Sequence, residues 1–209
     1  MAQTVRVIEH SVLADRLSVL RDRKTPHGEF RQALFEAAAI MAVEVARELP
    51  TREVDIETPL ESTRGLRLGE EVAVVPVLRA GLGMVDGFLR LVPDARVGHV
   101  GIYRDEEEHV PVHYYERLPP GLPDARVYVL DPMLATGGSA VGALNHLKRA
   151  GARHLELVCL VAAPQGLAAV EAEHPEVPIW TAAIDRELDE NAYIRPGLGD
   201  AGDRVFGTA

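Results

Sequence analysis

Residues 127–139 read VYVLDPMLATGGS, and the fold class turns on them. An apolar run at 127–130 ends on Asp131. The chain then passes through Pro132, Met133, Leu134, Ala135 and Thr136 to two adjacent glycines, Gly137 and Gly138, and Ser139 opens a helix-forming stretch. A strand that ends in an acid and feeds a hydroxyl–glycine turn into a helix is the repeating unit of an α/β sheet, whose ligands sit at the carboxyl ends of its strands. The same turn is an anion cradle, because backbone N–H groups, two hydroxyls and the positive end of a helix face one spot. A Walker-type loop would carry a lysine after the second glycine; here Ser139 stands there, so nucleoside triphosphate hydrolysis by that route is not expected. A carboxylate at the strand tip can accept hydrogen bonds from sugar hydroxyls while the loop holds a phosphate on the same sugar. The stretch therefore describes a pocket for a ribose 5-phosphate. The plainer alternative is a strand, a turn and a helix capped by Thr136 or Ser139.

Working outward, further apolar runs lie at 71–78 (EVAVVPVL), 96–103, 154–163 (HLELVCLVAA) and 177–184. They are continuous rather than alternating, as in a parallel sheet covered on both faces. Helical spacing predicts helices over 83–91, 138–150 and 166–173 between them, the second followed by Gly151 as its C-cap. Two more helices precede the sheet, at 11–22 with Val12, Leu13, Leu17 and Leu20 on one face, and at 30–49 before Pro50. Residues 52–69, with Pro59, read as an irregular connection. Residues 105–123 replace a helix with charges, prolines and aromatics and read as a flap or β-arm outside the main sheet.

The composition sets the limits. The chain has 209 residues, 47% of them hydrophobic, so it can bury a core and wholesale disorder is excluded. One cysteine excludes a disulfide framework and Cys-rich metal sites. No apolar run is long enough to cross a membrane and no signal peptide is evident, so a cytoplasmic protein without a membrane partner is expected. The net charge of −10 disfavours nucleic acid as a partner. The excess lies beyond residue 50, with acidic clusters at 105–108 and 185–190, so any polyanion must bind at a local site.

Other stretches carry weaker signals. The turn RAGLGMVDG at 79–87 nearly makes a dinucleotide fingerprint, but Asp86 occupies the third glycine position. Arg79, at a strand's carboxyl end, points at the expected crevice, and its planar fork suits a phosphate. Gly197, Gly199, Gly202 and Gly207 would let backbone approach a small planar ligand, and the apolar anchors Tyr193, Ile194 and Phe206 argue against a disordered tail. His109 and His113 lack a third metal ligand at suitable spacing and read as a solvated flap. Cys159 reads as core packing, and the DRELDE run at 185–190 as a solvated acidic surface.

DPMLATGGS resembles the phosphoribosyl diphosphate (PRPP) signature of type I phosphoribosyltransferases, in the form found in uracil phosphoribosyltransferases. The likeness extends to VPVLRAGLGMVDG (75–87), GIYRDEE (101–107), LVAAPQG (160–166) and YIRPGLGDAGDRVFGT (193–208), and so covers essentially the whole chain. The wider superfamily carries two adjacent acids; Pro132 in place of the second is the form of the uracil branch.

The resemblance implies a mostly parallel central sheet flanked by helices, with a flap and a C-terminal base-binding hood. It implies one domain over 1–209, the flap at about 105–123 and the base-binding segment at about 185–209. It places Arg79 and Arg104 on the diphosphate of PRPP and residues 131–139 on its ribose 5-phosphate. Tyr193, Ile194, Gly199, Asp200 and Ala201 fall at uracil, Asp200 also contacting PRPP. The implied reaction is uracil + PRPP → UMP + diphosphate, in pyrimidine salvage. Mg²⁺ is expected to be carried by PRPP and to lie near Asp200 if the protein touches it. The resemblance also allows a GTP effector and a homodimer or higher homo-oligomer. Two other readings are an RNA-binding regulator on the same fold, which the charge disfavours, and a transferase for another base.

Overall fold

The structure is a computed structural model. It describes residues 5–104 and 111–208, the side chains of Tyr103, Arg104 and Pro111 excepted. The chain opens with β1 (Val5–Val7), α1 (Ser11–Arg21), α2 (His27–Val45) and a 3₁₀ turn (Ala46–Glu48), then β2 (Thr51–Glu57) and β3 (Ser62–Leu68). Next come β4 (Val72–Leu78), α3 (Leu82–Leu91), β5 (Arg96–Val97), β6 (His99–Arg104) and β7 (Pro111–Arg117). β8 (Arg126–Leu130), β9 (Met133–Leu134), α4 (Gly138–Arg149), β10 (His154–Ala162) and α5 (Pro164–Glu173) follow. The chain closes with β11 (Ile179–Ile184), β12 (Glu187–Leu188), β13 (Ile194–Arg195) and α6 (Ala201–Phe206).

The central sheet runs in the order β1-β11-β10-β8-β4-β6-β7, with β5 and β9 paired onto β4 and β10. Its pairs are parallel except β6–β7. Both faces are covered, and period-2 geometry divides each apolar run between them. Val72, Val74, Tyr128, Leu130, Val158, Leu160 and Trp180 pack with α1, α2, α3 and α6. Ala73, Val75, Val77, Val127, Val129, Leu157 and Cys159 pack with α4 and α5. This is why the runs are continuous rather than alternating. Cys159 is fully buried, as its apolar setting predicts, and burial pushes its thiol up to about 12.

The glycines at 79–87 serve packing. A Cβ on Gly87 would stand 2.7 Å from the Cβ of Ala38 and 2.8 Å from the carbonyl oxygen of Phe35 on α2, and one on Gly83 would overlap Leu34. Their spacing of four puts both on one face of α3, which lets α3 and α2 approach closely. Gly81 is closed to a side chain by the strands instead, a Cβ there overlapping the carbonyl oxygen of Leu130, so the glycines of the near-fingerprint serve packing.

Four expectations need correction. Residues 52–69 form an antiparallel hairpin, Thr51 opposite Leu68 and Glu57 opposite Ser62. The hairpin is exposed on both sides, so no buried face imposes an apolar alternation on its sequence, and Pro59 sits in the turn that Thr58 closes by donating its N–H to Glu61 O at 3.0 Å. Residues 111–117 are the antiparallel edge strand β7 of the main sheet, not an arm outside it; residues 105–110, with the acidic cluster and His109, lie outside the described residues. Val12 is exposed, because the buried stripe of α1 is Leu13, Leu17 and Leu20. The run at 96–103 is broken at Gly98, where a Cβ would stand 2.9 Å from Pro119. Among the described residues no helix is long and apolar enough to cross a membrane.

Replacing Gly87 by Val should overpack the α2–α3 contact and lower unfolding free energy by about 1–3 kcal/mol. Urea denaturation reads this directly, and an unchanged midpoint would contradict a packing role.

Candidate active site

The carboxyl ends of β4 and β8 lie side by side at the centre of the sheet, with Pro76 opposite Leu130. Beyond them opens a cavity of about 740 Å³. Arg79, Asp131, Met133, Ser139 and Asp200 line it, together with Val77, Ala80, Ile102, Tyr114 and Gly202. Four segments far apart in sequence therefore meet at one crevice, where an open α/β sheet places its ligand.

Asp131 stands at the tip of β8, its N–H donating to Val158 O at 3.1 Å. The N–H of Met133 donates to its carboxylate at 3.3 Å, the one hydrogen bond that carboxylate has among the described residues. Burial among apolar strand ends raises its pKa to about 7, only partly offset by that N–H. The chain then bends along β10. Pro132 O accepts from the N–H groups of Leu160 and Val161, each at 3.1 Å, and Leu134 O accepts from the N–H of Ala163 at 2.9 Å.

The loop ends in Gly137, whose φ of +86° favours glycine, and α4 starts immediately after. A Cβ on Gly137 would also stand 2.7 Å from the Cβ of Ala169 on α5. No side chain caps α4. Thr136 and Ser139 are therefore not spent as caps, and neither hydroxyl has a hydrogen bond among the described residues. The first N–H groups of any α-helix have no intrahelical acceptor. Here they border a small cleft of about 70 Å³ lined by Asp131 and residues 133–140.

Arg79 follows β4 through a cis peptide from Leu78. It is half-exposed, and its Nη2 donates to Asp203 Oδ1 at 3.2 Å. Asp200 caps α6 by accepting from the N–H of Asp203 at 2.9 Å. Of the residues expected at a base, Asp200 lines the cavity. Ile194 and Ala201 have buried side chains, Tyr193 is exposed, and Gly199 is an exposed turn residue at φ +76°. Arg104 ends β6, and its side chain lies outside what the structure describes.

The C-terminal segment is clamped. Asp185 is buried, accepts from both Nη atoms of Arg21 at 2.8 and 2.6 Å, and accepts from the N–H of Gly197 at 2.9 Å. Asp189 accepts from the N–H groups of Asn191 and Tyr193 and from Arg195. The run at 185–190 is thus not a solvated acidic surface throughout: these two acids organise the loop. Arg204 donates to the carbonyls of Leu198 and Asp22 and lies 4.3 Å over the ring of Phe30. Tyr114 was missed in sequence. It is the extra residue of a bulge in β7, and a Cβ on Gly101 would stand 2.6 Å from its ring.

Among the described residues no three carboxylates converge in this cavity. Asp131 and Asp200 could give a cation one or two bonds. That suits Mg²⁺ that keeps phosphate oxygens and waters as its other ligands.

The uracil phosphoribosyltransferase family model matches residues 7–208. The uracil phosphoribosyltransferase of Salinibacter ruber is 56% identical over 99% of this chain and 98% of its own. That of Symbiobacterium thermophilum is 54% identical over 98% of each. Among solved structures, the AQ2163 protein of Aquifex aeolicus superposes with a TM-score of 0.94 at 34% identity, covering 99% of both chains. A purine phosphoribosyltransferase of Pyrococcus horikoshii shares the fold, with a TM-score of 0.51 at 17% identity over 73% of this chain and 83% of its own.

A carboxyl raised to about 7 in the folded state weakens folding as pH climbs from its unfolded value, near 4, to 7. Asp131→Asn removes that penalty. The variant should be more stable than the parent above pH 7, by up to about 4 kcal/mol, with the gap closing toward pH 4. Denaturation at pH 4, 6 and 8 checks this; a variant less stable at pH 8 would contradict it.

Proposed function

The chain belongs to the uracil phosphoribosyltransferase family, and from that premise we propose how its residues carry uracil + PRPP → UMP + diphosphate. The observation that carries the assignment of roles is the convergence of Arg79, Asp131, Ser139 and Asp200 on one cavity. The 5′-phosphate takes the cradle, held by the N–H groups that open α4 and by the hydroxyls of Thr136 and Ser139. Leu134, Ala135, Gly137 and Gly138 supply its backbone wall. Asp131 accepts hydrogen bonds from the ribose hydroxyls; Pro132 takes the place of a second acid and Met133 closes the floor.

Arg79 holds the diphosphate, with Arg104 as its second contact. Uracil pairs with backbone groups at Ile194, Gly199, Asp200 and Ala201, with Tyr193 beside them. The segment from 185 onward is then a base-binding hood, anchored by the Arg21–Asp185 pair.

The C1–N1 bond forms as the C1–O bond to diphosphate breaks, and uracil N1 gives up its proton to the departing diphosphate, a base the reaction itself supplies. No covalent intermediate on the protein is needed. The cradle and Asp131 fix the sugar so that C1 faces the base, which converts an encounter of two substrates into a positioned one. The ionised Asp131 also faces the positive charge that develops on the ribose ring. Mg²⁺, entering with PRPP, supplies charge neutralisation of the departing diphosphate. Asp200, which lines the cavity, would meet it. The family resemblance supports a cytoplasmic salvage role and a homo-oligomer, for which the exposed Leu60 and Leu66 of the β2–β3 hairpin offer apolar surface. A GTP effector rests on the resemblance alone.

With PRPP and Mg²⁺, the protein should convert uracil to UMP and release one diphosphate per turnover. Use of hypoxanthine or orotate with uracil left untouched would overturn the assignment. Asp131→Asn should lower kcat/KM for PRPP on the order of 10²-fold. Because the carboxyl must be ionised to accept from ribose, kcat/KM for PRPP should rise with pH and level off above about 7. That limb should disappear in the Asn variant; its persistence would assign it to another group.

A further inference from the structure

His113 and Glu116 are three residues apart on β7, a spacing that puts two side chains on opposite faces of a regular strand. The bulge changes this. Tyr115 stands opposite Gly101 and His113 opposite Ile102, so Tyr114 is the extra residue and the alternation slips by one. His113 and Glu116 then share a face, and His146, from the last turn of α4, meets them there.

The three side chains bring their ligand atoms within 4.8 Å of one another. Glu116 Oε2 lies 3.3 Å from His146 Nδ1 and 3.7 Å from His113 Nε2. Charge-assisted hydrogen bonds run at about 2.7–2.9 Å, shorter than either separation. A tetrahedral ion with bonds of about 2.0–2.1 Å has ligand edges of about 3.3–3.4 Å, which these separations approach. The two imidazoles are stacked, 3.9 Å between centroids and 19° between planes. Sharing one ion takes a turn of one ring out of that stack, and the partly exposed position of His113 leaves it room.

We propose that His113, Glu116 and His146 bind one late first-row divalent cation of the Zn²⁺ class, with water at the fourth position. Two imidazoles and one carboxylate select such a metal over Mg²⁺, which prefers an all-oxygen shell. The ion ties edge strand β7 to α4. His146 lies about 10 Å along α4 from Ser139, so the site is separate from the phosphate cradle and does not depend on the transfer reaction.

The test uses chelator-treated full-length protein without PRPP. Equilibrium dialysis against Zn²⁺ should give one tightly held equivalent that excess Mg²⁺ does not displace. Co²⁺ in its place should give the intense visible absorption of a four-coordinate ion. His146→Ala and Glu116→Gln, each confirmed folded by its metal-free melting curve, should weaken Zn²⁺ binding at least about tenfold. Zn²⁺ should raise the melting temperature of the parent and not of the variants. No bound equivalent at micromolar Zn²⁺, a six-coordinate Co²⁺ spectrum, or variants that bind like the parent would each overturn the proposal. The Co²⁺ spectrum of the parent decides the matter without any variant.

Discussion

A Cβ on residue 166 would stand 2.6 Å from the carbonyl oxygens of both Leu134 and Ala135. The loop after β8 can hold its shape only because Gly166, on α5, has no side chain. From that contact the rest of the crevice follows. With Gly137 at positive φ against Ala169, and the carbonyls of Pro132 and Leu134 tied to β10, the loop is pressed between strand and helix before any ligand arrives. α4 must then begin with its free N–H groups facing the cleft, and Asp131 must end β8 beside them. A site fixed in this way needs little reorganisation at the moment of reaction, which is where preorganised donors have their advantage.

Charge is distributed on the same local principle. The protein carries −10 overall, yet its cavity presents Arg79 and a helix N-terminus. Arg79 is held by Asp203 at 3.2 Å, an exposed pair of small worth in itself. An anionic ligand of the kind proposed for Arg79 would compete with a weak partner, which keeps the arginine near the crevice without locking it. The strong pairing lies elsewhere: the buried Asp185 with Arg21, and Arg204 on the carbonyls at the end of α1, attach the C-terminal segment to the first helix.

The stretch at 127–139 was legible because each of its constraints is local: apolar residues for a strand, an acid at its tip, glycines where φ turns positive. The parallel sheet was legible because strands buried on both faces read as continuous apolar runs. What escaped the sequence depends on contacts between distant residues. The β2–β3 hairpin has no buried face to mark it. Asp185 reads as one more acid in a charged run until Arg21, far away in the chain, meets it. The glycines of α3 imitate a nucleotide fingerprint, and only the facing surface of α2 shows that they serve packing. The bulge at Tyr114 shifts the strand's alternation by one residue, and so hid both the cavity wall it forms and the meeting of His113, Glu116 and His146.

On the proposed reading the loop after β8 is a ribose-phosphate cradle and the glycine-rich C-terminal segment a base site, with Asp131 between them. A crystal structure of the protein with UMP bound tests it most directly. The phosphate should lie against the N–H groups of residues 136–139, the ribose hydroxyls on Asp131, and uracil against backbone at 194 and 199–201. A phosphate seated at Arg79, with the cradle empty and the base away from the C-terminal segment, would contradict it.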